Sequence, residues 1–218
     1  MNGNSRQNLV QKAKNSQKVS AKSIANLAGS AVVLAMLIFY NYDAGHPNSG
    51  IFTISGKDGE LTVSSAGTVL NQYSALHADA TAGSLVIQVD DVADLQAGAA
   101  LGANDLVMVM QMQGASMQIA NDTSYGRVTD YGSAGKYEFA YVRSVAGNAI
   151  TLSCGLQNDY YITGHVQVIR VPQYSNLTIE AGASVTAPAW DGNTGGVVAL
   201  VAENTLILEG DDGIDVQG

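Results

Sequence analysis

A single cysteine, Cys154, excludes any disulfide within the chain. It does not exclude export, because secreted proteins with an adequate core do without disulfides. Proline is scarce, at 3 residues, whereas glycine stands at 24. That mix fits a β-rich chain with many tight turns. Charged residues make up only 13% of the chain and hydrophobic ones 46%, which excludes disorder driven by charge and low hydrophobicity. Cations are few after residue 45, with five basic against eighteen acidic residues. Such a surface repels phosphate backbones and excludes nucleic acid as a partner, while it suits an extracellular body or a cation binder.

Catalytic motifs are lacking as well. His46, His77 and His165 share no metal-ligand spacing. Gly114-Ala115-Ser116 lacks the second glycine of a nucleophile elbow, and no phosphate-binding glycine loop follows a strand. Cys154 follows Ile150 and Leu152 in alternation, so it reads as a packed core residue; nothing in the spacing pairs it with His165. No catalytic residue and no cofactor-binding residue is assigned, and the chain is expected not to be an enzyme.

What is present begins with an order of segments. Arg6, Lys12, Lys14, Lys18 and Lys22 precede an apolar run from Ile24 to Tyr40, and polar residues follow. This is the layout of a secretory signal, with the positive end held in the cytoplasm. The run has 17 residues, about 26 Å as a helix, just short of a hydrocarbon core. No small-x-small cleavage site follows it. A cleaved signal, an uncleaved anchor and a buried helix all stay open for residues 1–45. Under the first two, contact with the inner membrane is confined to this segment and the rest is extracytoplasmic, secreted or on the cell surface.

Beyond residue 50 the period-2 pattern dominates. "GIFTISG" and "GELTVSSAG" predict a hairpin around Lys57-Asp58-Gly59. Leu85, Ile87 and Val89 share one face of a strand, and Leu106 to Met112 is too continuous for an exposed edge, with Met108, Met110 and Met112 on one side. The connector between them has room for one helical turn. Tyr137, Phe139 and Tyr141 form an aromatic face, Ala146-Gly147-Asn148 a turn, and Pro172 closes the strand "HVQVIRV". Residues 46–172 are therefore predicted as a small β-barrel or sandwich, a β-rich N-terminal capping module.

Residues 173–218 change character. Strands of three to six residues alternate at Leu177 and Ile179, Leu206 and Leu208, Ile214 and Val216, between glycine and acidic corners. Short strands at short intervals predict the first coils of a right-handed parallel β-helix, each coil burying its apolar face on the next. Completion of the preceding sandwich is the alternative. The overall expectation is an all-β chain with an N-terminal hydrophobic helix.

Two sets of side chains are candidates for binding. Asp211, Asp212 and Asp215 could supply oxygens to a Ca²⁺ ion, although Asp and Gly are ordinary turn residues and no known loop spacing is met. Asp90, Asp91 and Asp94 form a similar group. Trp190, Tyr160 and Tyr161 sit beside turns and are candidate glycan contacts; the competing role for Trp190 is a plug at the start of the β-helix.

Several phrases carry a likeness: "GSLVIQVDDVADLQAG", "NDLVMVMQMQGA", "VPQYSNLTI" and "VTAPAWDGNTGGVVALVAENTLILEGDDGIDVQG". Across about residues 78–218 the chain resembles the N-terminal region of large cell-surface proteins of the Bacteroidota, adhesin-like or gliding-motility-associated and exported by the type IX pathway. The resemblance implies a non-enzymatic, adhesin-like β-helical stalk of which this chain is a fragment. It implies a surface polysaccharide or another cell-surface component as partner. A β-helical polysaccharide-active enzyme fragment and a subunit of an extracellular fibre are the alternatives.

Overall fold

The structure is a computed structural model and describes residues 36–37, 56–211 and 213–216, all within one compact unit, 31–218. The described chain is all-β, with helix confined to two 3-10 turns, Val92–Leu95 and Ile162–Gly164. None of its helices is long and apolar enough to cross a membrane. The helix expected over the N-terminal apolar run falls outside the described residues, except that Met36–Leu37 form a short strand, β1.

The chain enters its first coil at β2 (Glu60–Val63), turns, and continues as β3 (Thr68–Val69). It then leaves for a long excursion. The excursion contains β4 (Gln72–Ala75), β5 (Val86–Gln88), β6 (Leu106–Gln111), β7 (Ser116–Met117), β8 (Val128–Asp130), β9 (Tyr137–Ala146), β10 (Ala149–Leu152) and β11 (Val166–Val171). After Pro172 the coil resumes with β12 (Gln173–Ile179), β13 (Val185–Thr186) and β14 (Ala199–Leu208).

The coils stack in parallel. β12 lies between β2 and β14, with Leu61, Leu177 and Leu206 in one register and Val63, Ile179 and Leu208 in another. On the next side of the coil β13 pairs parallel with β3, and Val185 bridges Ile214 in parallel. Alternation puts Leu177, Ile179, Val185, Val198 and Leu200 into one closed core. Each such side chain gains about 1.5–3 kcal/mol from burial, which no coil could secure alone. The predicted hairpin at Lys57-Asp58-Gly59 is not what β2 forms: its described partner is β12, in parallel. The hydrophobic pattern fits either pairing, and the register with Leu177 decides it. β1 adds to the other edge of β14, pairing Met36 with Ala199 and Leu37 with Leu200 in parallel.

The excursion is antiparallel, in the order β4-β11-β6-β9-β10-β5. Its two edges meet at one end, where the His77 N–H donates to the Gln88 carbonyl, the Asp90 N–H donates to that of Ala75, and Leu76 bridges Val89. The sheet is thus a curled half-barrel. Val107, Val109, Val142, Ile150, Val166 and Val168 fill its interior. Leu106, Met108, Met110, Ile169 and the Tyr137–Phe139–Tyr141 face point outward, onto Val197, Ala199 and Val201 of the coil. Both faces of β6 and of the run Val197–Ala202 are therefore buried, which is why their sequences are continuously apolar. The half-barrel packs along the flank of the stack at β14.

Polar side chains weld this flank. Asn71 donates to the Ala199 carbonyl (2.5 Å) and accepts from the Ala199 N–H (3.0 Å). Gln167 does the same for Gly195, at 3.1 and 3.0 Å. Tyr73 donates its hydroxyl to the Val197 carbonyl at 2.5 Å, and burial pushes its phenol upward so that it stays a donor. Alternate residues of this segment, Gly195, Val197 and Ala199, thus have backbone groups bonded by side chains of the half-barrel. At the other end of the contact, buried Asp105 pairs with Lys57 and with Arg170 (3.3 Å) and accepts from the Gly102 N–H (2.7 Å). Arg170 also donates to the carbonyls of Leu95 and Ala99.

Two single-residue expectations change. Cys154 is exposed, not core, because β10 ends at Leu152 after a register shift and the alternation does not continue. Leu85 is exposed, whereas Ile87 and Val89 are buried as expected.

Candidate functional site

The acidic groups resolve first. Asp90 pairs with His77 at 2.7 Å, and Asp91 caps the Val92–Leu95 turn by accepting from the Ala93 N–H at 2.8 Å. Both are ordinary turn chemistry. Asp211 and Asp215 are exposed, and Asp212 lies outside the described residues. Among the described residues no three His, Cys, Asp or Glu side chains gather in a way that would hold a metal ion.

The two tyrosines separate. Tyr160 is 0% exposed and exchanges both backbone hydrogen bonds with Ala80, so it belongs to the half-barrel interior and is no glycan contact. Burial first, and then the charge of Glu138, pushes its phenol upward. Tyr161, one residue on, faces the other way and is 44% exposed.

Tyr161 opens the 3-10 turn Ile162–Gly164, and His165 ends it in the left-handed region at φ 50. The turn is pinned from below. Gln111 accepts from the Tyr161 N–H at 3.0 Å and donates to the Gln113 carbonyl at 2.8 Å. A Cβ on Gly164 would lie 2.0 Å from the Gln111 amide nitrogen, so only glycine fits there without displacing it. The Asp79 carboxylate accepts from the Ile162 N–H at 2.8 Å.

A second loop, Ala187 to Gly196, brings Trp190 to the same place. Its neck is closed by the Gly196 N–H donating to the Pro188 carbonyl at 2.8 Å. Gly195 has φ 100, and a Cβ there would lie 2.7 Å from the Ala189 carbonyl oxygen. Inside the loop one oxygen of Asp191 accepts from the N–H groups of Asn193 and Thr194, both at 2.7 Å. Those donors, Thr194 first, hold its carboxyl below the usual range. Half-buried Trp190 then meets His165 edge to face, with ring centroids 6.4 Å apart, and Asn193 Oδ1 stands 3.2 Å from His165 Nδ1. The loop is ordered by its own hydrogen bonds before any ligand arrives.

An arm stands beside this face. The hairpin β7–β8 rises between β6 and β9, rooted where Gly132 abuts the Gly114 carbonyl. Its side chains Met117, Ile119, Tyr125, Val128 and Tyr131 are exposed, and none joins a buried core cluster. Its strands lack strict alternation, and its one mark in the sequence is a pair of tyrosines, Tyr125 and Tyr131, each followed by glycine.

Trp190, His165 and Asn193 thus meet as flat rings and polar tips, and exposed Tyr161 opens the turn that ends at His165. Such a cluster can stack on a sugar ring and hydrogen-bond its hydroxyls. Sequence reasoning named Trp190 and Tyr161 and left His165 unpaired.

No family model matches the chain, and no curated protein matches it. Among solved structures it is similar to phage tailspikes. The Gp54 tailspike of Acinetobacter baumannii bacteriophage AP22, solved with A. baumannii capsular saccharide, is 15% identical at a TM-score of 0.33, over 69% of this chain and 23% of that one. The Pseudomonas phage phi297 tailspike gp61 is 12% identical at 0.32, over 70% and 36%. The tailspike gp49 from Pseudomonas phage LKA1 is 18% identical at 0.29, over 59% and 26%. This chain spans between 23% and 36% of the length of these tailspikes, and scores of this size fall short of a shared fold.

Proposed function

We propose that this chain is part of a secreted or cell-surface protein that binds polysaccharide without cleaving it. The observation that carries the reading is the Trp190–His165 pair, set edge to face by a loop that Asp191 and Gly195 hold closed. Exposed Tyr161 opens the turn that His165 ends and adds a second aromatic ring there. On this reading the protein is extracytoplasmic, in keeping with the basic-then-apolar order of its first 40 residues. The parallel coils wind right-handed as a stalk, and the adhesin-like role and type IX export follow from the resemblance to Bacteroidota surface proteins.

Trp190 is the one tryptophan of the chain, so its fluorescence reports directly on the proposed face. Titration with a panel of polysaccharides is expected to shift its emission. Trp190→Ala is expected to weaken binding at least tenfold, about 1.4 kcal/mol. Release of shorter sugars during the titration would replace this reading with a glycan-cleaving enzyme.

The edge of β14 supports a second reading. Beyond Leu200 its described pairing is with β12 on one side, and Ile207 and Leu208 are exposed. Such an edge accepts a strand from another chain, as a fibre subunit requires. Sedimentation across a wide concentration range separates the two, since assembly is expected only for the fibre.

A further inference from the structure

We infer that the ligand is a long, uncharged polysaccharide that lies across two platforms, the Trp190–Tyr161 face and the Tyr125–Tyr131 arm. This rests on the saccharide reading of the Trp190 face and adds the class and length of its ligand.

The first ground is continuity. Tyr131 precedes Gly132, which touches the Gly114 carbonyl. Gln113, next to Gly114, donates its N–H to the Gly164 carbonyl at 2.7 Å, and Met112 donates to that of His165 at 2.9 Å. The arm therefore springs from the same backbone that presents Tyr161 and His165.

The second ground is the chemistry of the arm. A two-stranded hairpin is marginal in water unless something packs on it. This one pairs through two and three residues and exposes Tyr125 and Tyr131 at 70% and 72%. Its turn is set by Asp122, which accepts from the Ser124 N–H and hydroxyl at 2.7 and 2.6 Å. Tyrosine suits a surface that is apolar on one side and wet on the other, which is what a sugar polymer offers.

The third ground is charge. Asp79 is bonded to the Ile162 N–H and Asp191 sits next to Trp190, so carboxylates flank the first platform. On the arm Asp122 and Asp130 outnumber Arg127, and with exposed Lys136 at its foot the four carboxylates Asp79, Asp191, Asp122 and Asp130 still exceed the two cations. Lys57 and Arg170 are committed to Asp105. An acidic polymer would meet repulsion along this track, and an uncharged one would not.

The test uses the full chain, Trp190 fluorescence, and three probes: a long neutral glucan or mannan, a short oligosaccharide of the same sugar, and a polyuronate. Tyr125→Ala/Tyr131→Ala removes side chains outside every core cluster, so the fold is kept. The expected result is about tenfold weaker binding of the long neutral polymer by the double variant and unchanged binding of the short one. Binding of the neutral polymer is expected not to vary with salt, and the polyuronate is expected not to bind. Native affinity of the double variant for the polymer would overturn the two-platform inference while leaving the Trp190 reading intact. Tight, salt-sensitive binding of the polyuronate would overturn the uncharged class. Concentration-dependent self-association abolished by the double variant would assign the arm to a second copy and overturn the inference. A Trp190 response to none of the probes would overturn the saccharide reading itself.

Discussion

Asn71 and Ala199 behave as one peptide pair: the side-chain amide of the first closes both backbone hydrogen bonds of the second, at the buried seam between half-barrel and coil. Asn71 also donates to the Arg170 carbonyl at 2.9 Å, so one side chain joins three segments.

Asn71→Ala is therefore expected to leave a buried N–H and carbonyls without partners. Each unsatisfied group costs about 1–3 kcal/mol, giving an expected loss of about 2–4 kcal/mol in urea denaturation. Asn71→Asp keeps the acceptor and loses the donor, and is expected to fail to restore stability.

Asp105 is the only described carboxylate shared by Lys57 and Arg170, and Arg170 is itself buried. Asp105→Ala strands the guanidinium and is expected to cost about 3–5 kcal/mol. Asp105→Leu/Arg170→Met removes both charges and is expected to recover most of that loss. A double variant as unstable as the single one would show that the ion pair itself, not a stranded charge, sets the cost.

Acid is expected to loosen the Trp190 loop. The folded-state pKa of Asp191 lies below its ordinary value because Thr194 and Asn193 donate to the ionised form. Its contribution is present above the unfolded pKa, near 3.9, and is lost as pH falls through the folded value. Trp190 emission followed from pH 6 downward is expected to change in that window before global unfolding. Asp191→Asn is expected to remove that step.

Leu177 is fully buried between Leu61 and Leu206. Leu177→Ala opens a cavity in the middle of three stacked rungs, with an expected cost of about 2–5 kcal/mol. Leu206→Ala, at a half-buried rung, is expected to cost less. Equal losses would mean that the rungs are not stacked in this register.

Much of this fold could be read along the chain, for reasons that lie in particular residues. Gly147 and Asn148 close the β9–β10 hairpin where expected, and Pro172 marks the passage from antiparallel to parallel pairing because it cannot donate to a ladder. The outward Met108 and Met110 and inward Val107 and Val109 follow directly from alternation. The partner of Leu61 could not be read, because it is Leu177, far along the chain, and a short apolar alternation does not name its partner. Alternation also separates Tyr160 from Tyr161 without saying which of them faces water. The meeting of His165 with Trp190 depends on two irregular loops, whose course is set by hydrogen bonds from Gln111, Gln167 and Asp191 and leaves no periodic trace.

The interruption of the coil between Val69 and Gln173 bears on how the chain is made. During synthesis β2 emerges well before β12, the strand it will lie against, so the first coil waits as an unpaired ribbon while the intervening hairpins find their near neighbours. Contacts of such long separation slow the search for the native state. Refolding is therefore expected in two phases, a fast one in which the local antiparallel pairs form and a slow one in which the early ribbon is captured.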